Sequence, residues 1–192
     1  MEEERLTKAQ LWDVLELWDE FMPGPVRLVA CGGTALTIQD LKASTRDVDF
    51  VVPDDDECRR LIGSIRRRGY EKDRGFGWKH PSSPFIFDIF PGKKVFTTEL
   101  LDSPLEPGMH IPIRSFRKLE VGALNDLDLV ISKMFRGEPV DVEDSLTLIH
   151  GRKGAFDVEA LRARYEETAS DDVNPERMMG NLERLLKELK RA

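Results

Sequence analysis

Cysteine is scarce. The chain of 192 residues holds two, Cys31 and Cys58, with no CxxC spacing. That argues against a disulfide framework and against a thiolate zinc site. The three histidines, His80, His110 and His150, are scattered, so no imidazole metal cluster is suggested either. Long hydrophobic runs are missing, and none approaches the roughly 20 residues needed to cross a bilayer. The opening "MEEERLTKAQ" is acidic and lacks an apolar core, so no signal peptide is expected. A cytoplasmic protein without membrane partners is the reading. There is no internal repeat and no low-complexity tract. Positive charge is in deficit, with a formal net charge of −7. Broad non-specific attraction to nucleic acid is therefore not expected, and a polyanion would have to meet a local basic patch or a bound metal.

What is present suits a folded chain. Hydrophobic residues make up 40% and charged residues 34%, enough for a real core under a charged surface. Residues 6–22 carry Leu11, Val14, Leu15, Trp18 and Phe21 at helical spacing, with Thr7 and Gln10 as a capping box. "MPGP" stops that helix. "VRLVA" (26–30) is an apolar strand, Gly32-Gly33 a tight turn, and 34–41 a short helix, followed by the loop 42–46. "DVDFVV" (47–52) is a strand, and a helix over 55–68 starts behind three aspartates that complement its dipole. "GFGWKH" (75–80) and "FIFDIF" (85–90) form a hairpin. Residues 110–121 hold one or two more strands. From Asn125 the pattern is helical, over 125–135, 140–151, 157–168 and 175–192. The expected class is α+β (mixed α/β), a mixed sheet flanked by helices. The division is a first domain over 1–122 and a helical C-terminal region over 123–192 packed on it.

The chemistry concentrates in "CGGTALTIQDLKASTRDVDF" (31–50). Asp47 and Asp49 lie two apart on a strand and share a face, with Cα atoms about 6.6 Å apart. Val48 and Phe50 take the other face. Two carboxylates side by side repel unless a cation sits between them. Such oxygens suit Mg²⁺, which takes one or two protein carboxylates plus phosphates and waters. Asp88 is the polar break in "FIFDIF". If its strand neighbours that of Asp49, three carboxylates meet, and two metals about 3.5–4 Å apart could clamp a phosphoryl transfer. Gly32 and Gly33 let the backbone approach a ligand, and the N–H groups opening the next helix favour an anion. Thr34 can add a hydroxyl. Each feature also has a plain explanation: a turn, a solvated strand face, an Asp88 ion pair with Lys79 or Arg74.

The ordered set is more specific than its parts. An apolar strand, Gly32-Gly33, thirteen intervening residues, Asp47-Val48-Asp49 and then Asp88 resembles the nucleotidyltransferase superfamily of the polymerase-beta type. "GGTAL" with "STRDVDF" is closer still to the small prokaryotic branch of uncharacterised nucleotidyltransferase domains and AbiEii-like toxins. Lys133, Arg136, Asp141 and Asp144 in 126–149 are similar to that branch's helical motifs. The resemblance covers roughly residues 26–150. It departs at Gly33, where many relatives have Ser, and in a chain shorter than AbiEii-like toxins.

The resemblance implies a nucleotidyltransferase-like sheet and a metal-dependent enzyme. It would transfer a nucleoside monophosphate from a nucleoside triphosphate such as ATP to a hydroxyl of RNA, protein or a small molecule, with a toxin–antitoxin setting as one variant. Asp47, Asp49 and Asp88 would be the catalytic residues and would hold Mg²⁺ or Mn²⁺. Gly32, Gly33, Thr34 and Lys133 would bind the nucleotide. Lys133 can equally snorkel from an amphipathic helix, and Asp141 and Asp144 can pair with Arg136 or Arg152. Arg46 can orient the carboxylates or lie on the surface. Phe76 and Trp78 can stack a base or fill the core. Two other classes compete. One is a catalytically inactive nucleotide-binding or protein-interaction relative, using the apolar stripe Met178, Met179, Leu182, Leu185, Leu186 and Leu189 for a homodimer or partner protein. The other is a metal-dependent phosphohydrolase. The basic run 59–74 is either a local patch for a polyanion or the solvated face of a helix.

Overall fold

The computed structural model describes residues 4–170 and 172–191. A two-residue strand β1 (Leu6–Thr7) leads into α1 (Lys8–Phe21). Thr7 caps α1 reciprocally: its hydroxyl accepts from the Gln10 N–H, and the Gln10 side chain accepts from the Thr7 N–H at 2.9 Å. Then come β2 (Val26–Ala30), α2 (Gly32–Ile38), β3 (Ser44–Thr45), β4 (Val48–Val52) and α3 (Asp55–Arg67). Asp54 caps α3 by accepting from the Asp56 and Glu57 N–H groups. β5 (Glu71–Lys72), β6 (Gly77–Lys79), β7 (Ile86–Pro91), β8 (Lys94–Val95), β9 (Thr98–Glu99), β10 (His110–Ser115) and β11 (Leu119–Leu124) follow. The chain ends in α4 (Asp126–Arg136), α5 (Pro139–Gly151), α6 (Val158–Ser170) and α7 (Pro175–Leu189).

Seven strands form one mixed sheet in the order β10-β11-β2-β4-β7-β6-β5. The β11–β2 and β4–β7 pairs are parallel, and β2–β4 and β6–β7 antiparallel. The architecture is thus the mixed α/β sheet with flanking helices that the sequence predicts. The β6–β7 hairpin is also as expected. β1, β3, β5, β8 and β9 are two-residue pieces, too short for side-chain alternation to reveal.

Alternation divides β4 and β7 between two faces. Phe87, opposite Val48, packs against Trp18 of α1 at 5.1 Å between ring centroids. Asp49 and Asp88, one residue on, take the other face. Buried Asp19 of α1 accepts from the Lys118 and Leu119 N–H groups at 2.6 and 2.8 Å, pinning α1 to the start of β11. One buried cluster runs from Leu28 and Phe50 of the sheet into Met134, Leu182 and Leu185 of the C-terminal helices. The stripe on α7 is therefore core: Met178, Leu182, Leu185 and Leu186 are buried, and Met179 and Leu189 pack against them.

Both ends of α2 differ from expectation. The glycines lie inside α2, which starts at Gly32 and ends at Ile38 rather than running over 34–41. Asp40 adopts a left-handed φ of 61°. Its N–H bonds the Thr37 carbonyl while the Leu41 N–H reaches back to Leu36, a Schellman closure that ends the helix early.

Candidate active site

Three short connections aim side chains into one cleft of about 480 Å³, lined among others by Gly33, Lys42, Asp47, Asp49, Asp88, Phe96, Lys133, Arg136 and Asp144. The first connection is β2–α2. Gly32 takes a φ of +57°, and a Cβ there would collide with Oδ2 of Asp49. The glycine is thus required both by backbone conformation and by the carboxylate beside it. At Gly33 a Cβ would stand 2.7 Å from the Thr45 hydroxyl. That hydroxyl donates to the Asp47 carbonyl at 2.8 Å.

Thr34 is a correction. Its fully buried hydroxyl accepts from the Asp49 N–H at 2.9 Å and donates to the Asp47 carbonyl at 3.2 Å. With α2 beginning at Gly32, the phase of the helix turns Thr34 into the protein. It ties α2 to β4 and has no hydroxyl to offer a ligand. Gly32 likewise makes room for Asp49 rather than lining the cleft, whereas Gly33 does line it.

The second connection is the strand pair. Asp49 on β4 is the register partner of Asp88 on β7. Asp49 is 5% exposed. Its burial, and then repulsion from Asp88 and Asp47, push its carboxyl up to about 7 from an ordinary 3.8. Burial and then Asp47 raise Asp88 as well. Asp47, at the mouth of β4, is partly exposed and accepts from Arg46 Nε at 3.2 Å. The three carboxylates therefore feel one another.

The third connection is α4–α5. Lys133 does not snorkel to the surface: it is 3% exposed, with Nζ 2.8 Å from Asp144 Oδ2 and 3.9 Å from Asp141 Oδ1. The other oxygen of Asp144 accepts from Lys42 at 2.7 Å. Arg136 forks onto buried Asp141, with Nε at 2.8 Å. Burial pushes the Asp144 carboxyl up, but Lys133 and Lys42 more than offset this, leaving it below its ordinary value. Arg152 pairs with Asp126 instead of either aspartate. The cleft thus has a carboxylate wall facing a wall that presents two ammonium groups and a guanidinium.

A divalent cation suits the carboxylate wall. Among the described residues no three carboxylate, imidazole or thiol groups are already gathered around one point. Mg²⁺ does not need such a cage, because phosphates and water complete its shell. Two register-paired carboxylates, with burial and then Asp88 raising the carboxyl of Asp49 and a glycine making space beside it, are a fitting donor set.

Sequence reasoning missed Lys42 and Phe96. Lys42 sits in a loop, and Phe96 in the turn between two-residue strands, where no pattern marks either. Of the two places open to Trp78, base stacking or core, the structure shows the core. Trp78 is the register partner of Phe87, on the face away from Asp88, and is buried with Lys72 4.9 Å above its ring. Phe76 packs on Phe90 at 5.0 Å. The basic run lies along α3, where Arg68 covers the Phe21 ring and Arg60 holds the Pro25 carbonyl. None of its arginines lines this cleft.

No family model and no curated protein matches the sequence. Solved structures are similar in fold. ANT(2″)-Ia in complex with adenylyl-2″-tobramycin superposes with a TM-score of 0.56 at 16% identity, covering 83% of this chain and 97% of that one. The chain has the nucleotidyltransferase fold. An antigenic nucleotidyltransferase-like protein from Paracoccidioides brasiliensis aligns over 92% of this chain and 95% of its own, with a TM-score of 0.48 and 13% identity. Within the nucleotidyltransferase fold, this chain's paired aspartates follow its Gly-Gly turn and face the α4–α5 cations across the cleft. No helix among the described residues is long and apolar enough to cross a membrane.

Proposed function

We propose that this protein transfers a nucleoside monophosphate from a nucleoside triphosphate to a hydroxyl of an acceptor that is RNA, protein or a small molecule. The observation that carries the reading is the bipolar cleft: Asp47, Asp49 and Asp88 on one wall, with Lys42, Lys133 and Arg136 on the other. A triphosphate with its counter-cations needs both signs of charge. The ANT(2″)-Ia structure, with its bound adenylyl-2″-tobramycin, supports a hydroxyl acceptor.

Asp47, Asp49 and Asp88 would hold Mg²⁺, which when bound neutralises phosphate charge and acidifies a coordinated hydroxyl. The chain's own residues do the rest. Asp88, whose carboxyl burial raises above its ordinary range, accepts the proton of the attacking hydroxyl. The acceptor oxygen bonds to the α-phosphorus as the α–β bridging bond breaks, and pyrophosphate leaves with the electron pair. Lys133 and Lys42 meet the negative charge that builds on the departing group, with Arg136 held beside them on Asp141. Asp144 and Asp141 hold those cations in place before substrate arrives.

The test is a thermal-shift titration with ATP, GTP, CTP and UTP, each with and without Mg²⁺, on wild type and on Asp47→Asn/Asp49→Asn. Stabilisation by at least one triphosphate that needs both Mg²⁺ and the two aspartates is expected. If folded wild type is shifted by none of the four, the transferase reading fails.

A further inference from the structure

Phe96 combines three features that a filler side chain would not need. It lies in the turn between β8 and β9 at a φ of +53°. That left-handed conformation favours Gly or Asn and is strained for a bulky residue. The strain is retained although the position sits in a tight turn where a small residue would relieve it. The ring is only partly buried and lines the cleft that holds Asp49 and Asp88. It is also held rigidly. Phe90, on the Asp88 face of β7, packs edge-on against it at 4.8 Å between centroids and 61°. The Arg136 guanidinium lies over its ring, 4.6 Å from the centroid, and is itself anchored by Asp141.

We infer that the Phe96–Arg136 pair is the platform on which the nucleobase of the donor triphosphate stacks. The inference rests on the transferase reading and adds to it the place where the base binds. A flat, rigid aromatic surface beside cationic groups is what a base with a phosphate tail requires. Base–aromatic stacking is tolerant of base identity, because every base offers a π-face. Among the described residues no other aromatic ring lines the cleft: Trp78 takes the opposite face of the sheet, and Phe76 packs against Phe90. The platform predicts affinity for the base without strong choice among bases.

The experiment compares two probes by calorimetric titration in the presence of Mg²⁺. One is the tightest-binding of the four ribonucleoside triphosphates. The other is inorganic tripolyphosphate, which has no base. Wild type, Phe96→Asn, Phe96→Ala and Phe96→Trp are titrated with each. Wild type should prefer the nucleotide. Phe96→Asn and Phe96→Ala should lose roughly tenfold in nucleotide affinity, the size expected for a lost base–aromatic stack. Their tripolyphosphate affinity should stay within twofold of wild type, and Phe96→Trp should keep the nucleotide preference. Asn accepts the left-handed backbone, so this variant folds without the strain. Equal nucleotide affinity in wild type and Phe96→Asn overturns the platform while leaving the transferase reading standing. So does an equal loss for both probes, which would mark a general packing role. If wild type binds neither probe, the transferase reading fails, and the platform with it.

Discussion

Asp49 and Asp88 stand opposite each other across the parallel strands β4 and β7, and both line the cleft. Burial is the largest cost to the Asp49 carboxylate, and parallel neighbours about 4.8 Å apart add repulsion between two acidic side chains on one face. The Asp49 carboxyl responds by rising from 3.8 to about 7.

That crowding makes a stability prediction. A raised carboxyl means that the folded state binds more protons than the unfolded state between about pH 4 and pH 7. Stability of the metal-free protein should therefore fall as pH rises through that window and level off above it. Each pKa unit is worth about 1.4 kcal/mol, so Asp49→Asn should stabilise the metal-free protein at pH 8 by an amount on the order of 2–4 kcal/mol. The gain should shrink toward zero near pH 4, where wild type is also neutral at this position. Urea unfolding at both pH values checks it. Millimolar Mg²⁺ should narrow the gap at pH 8 by stabilising wild type alone, and a variant no more stable than wild type at pH 8 contradicts the crowding.

Gly32 makes a second prediction, with the opposite sign for stability. Its φ of +57° disfavours any Cβ, and that atom would meet Asp49 Oδ2. Gly32→Ala should lose about 1–2 kcal/mol from the backbone alone and displace the Asp49 carboxylate. Nucleotidyl transfer should drop at least a hundredfold, while circular dichroism still reports a folded protein. Gly24→Ala is the control, because a Cβ there meets the far end of the flexible Arg60 side chain. Full activity in Gly32→Ala would remove the reason given for that glycine.

How much of this was legible in the sequence follows from what each feature depends on. α1 and α3 could be placed because Thr7 with Gln10, and Asp54 before its acidic turn, are local capping signals. β2 and β4 could be placed because apolar runs bounded by Gly, Pro and Asp are local too. The pairing of Asp49 with Asp88 was only conditional, because which strands become neighbours is decided by long-range packing. Thr34 was misassigned because a two-residue change in the start of α2 rotates its hydroxyl inward. The face of Trp78 is not legible in the sequence because β6–β7 register, unreadable from one strand, sets it. Lys42 and Phe96 enter the cleft from a loop and a two-residue turn, where no periodicity exists to find them.

The last prediction concerns Asp144, which holds Lys133 and Lys42 on its two oxygens. The two lysines differ in exposure, 3% for the Lys133 side chain against 27% for Lys42, so their loss should be felt differently. Asp144→Ala leaves the buried Lys133 without its nearest partner and should cost about 3–5 kcal/mol. Lys42→Ala removes a partly exposed charge and should cost about 1 kcal/mol or less. Yet Lys42 lines the cleft beside Lys133, so its removal should weaken triphosphate binding severalfold, with little change in melting temperature. Asp144 sits below its ordinary ionisation range. Its contribution is therefore present above that range and lost as pH falls through its folded-state value. The stability difference between wild type and Asp144→Ala should be largest near pH 7 and should fade below about pH 4. Unfolding curves at the two pH values test the first lysine's dependence on Asp144. Triphosphate titration of Lys42→Ala tests the second lysine, and an affinity equal to wild type would show that Lys42 serves Asp144 and not the substrate.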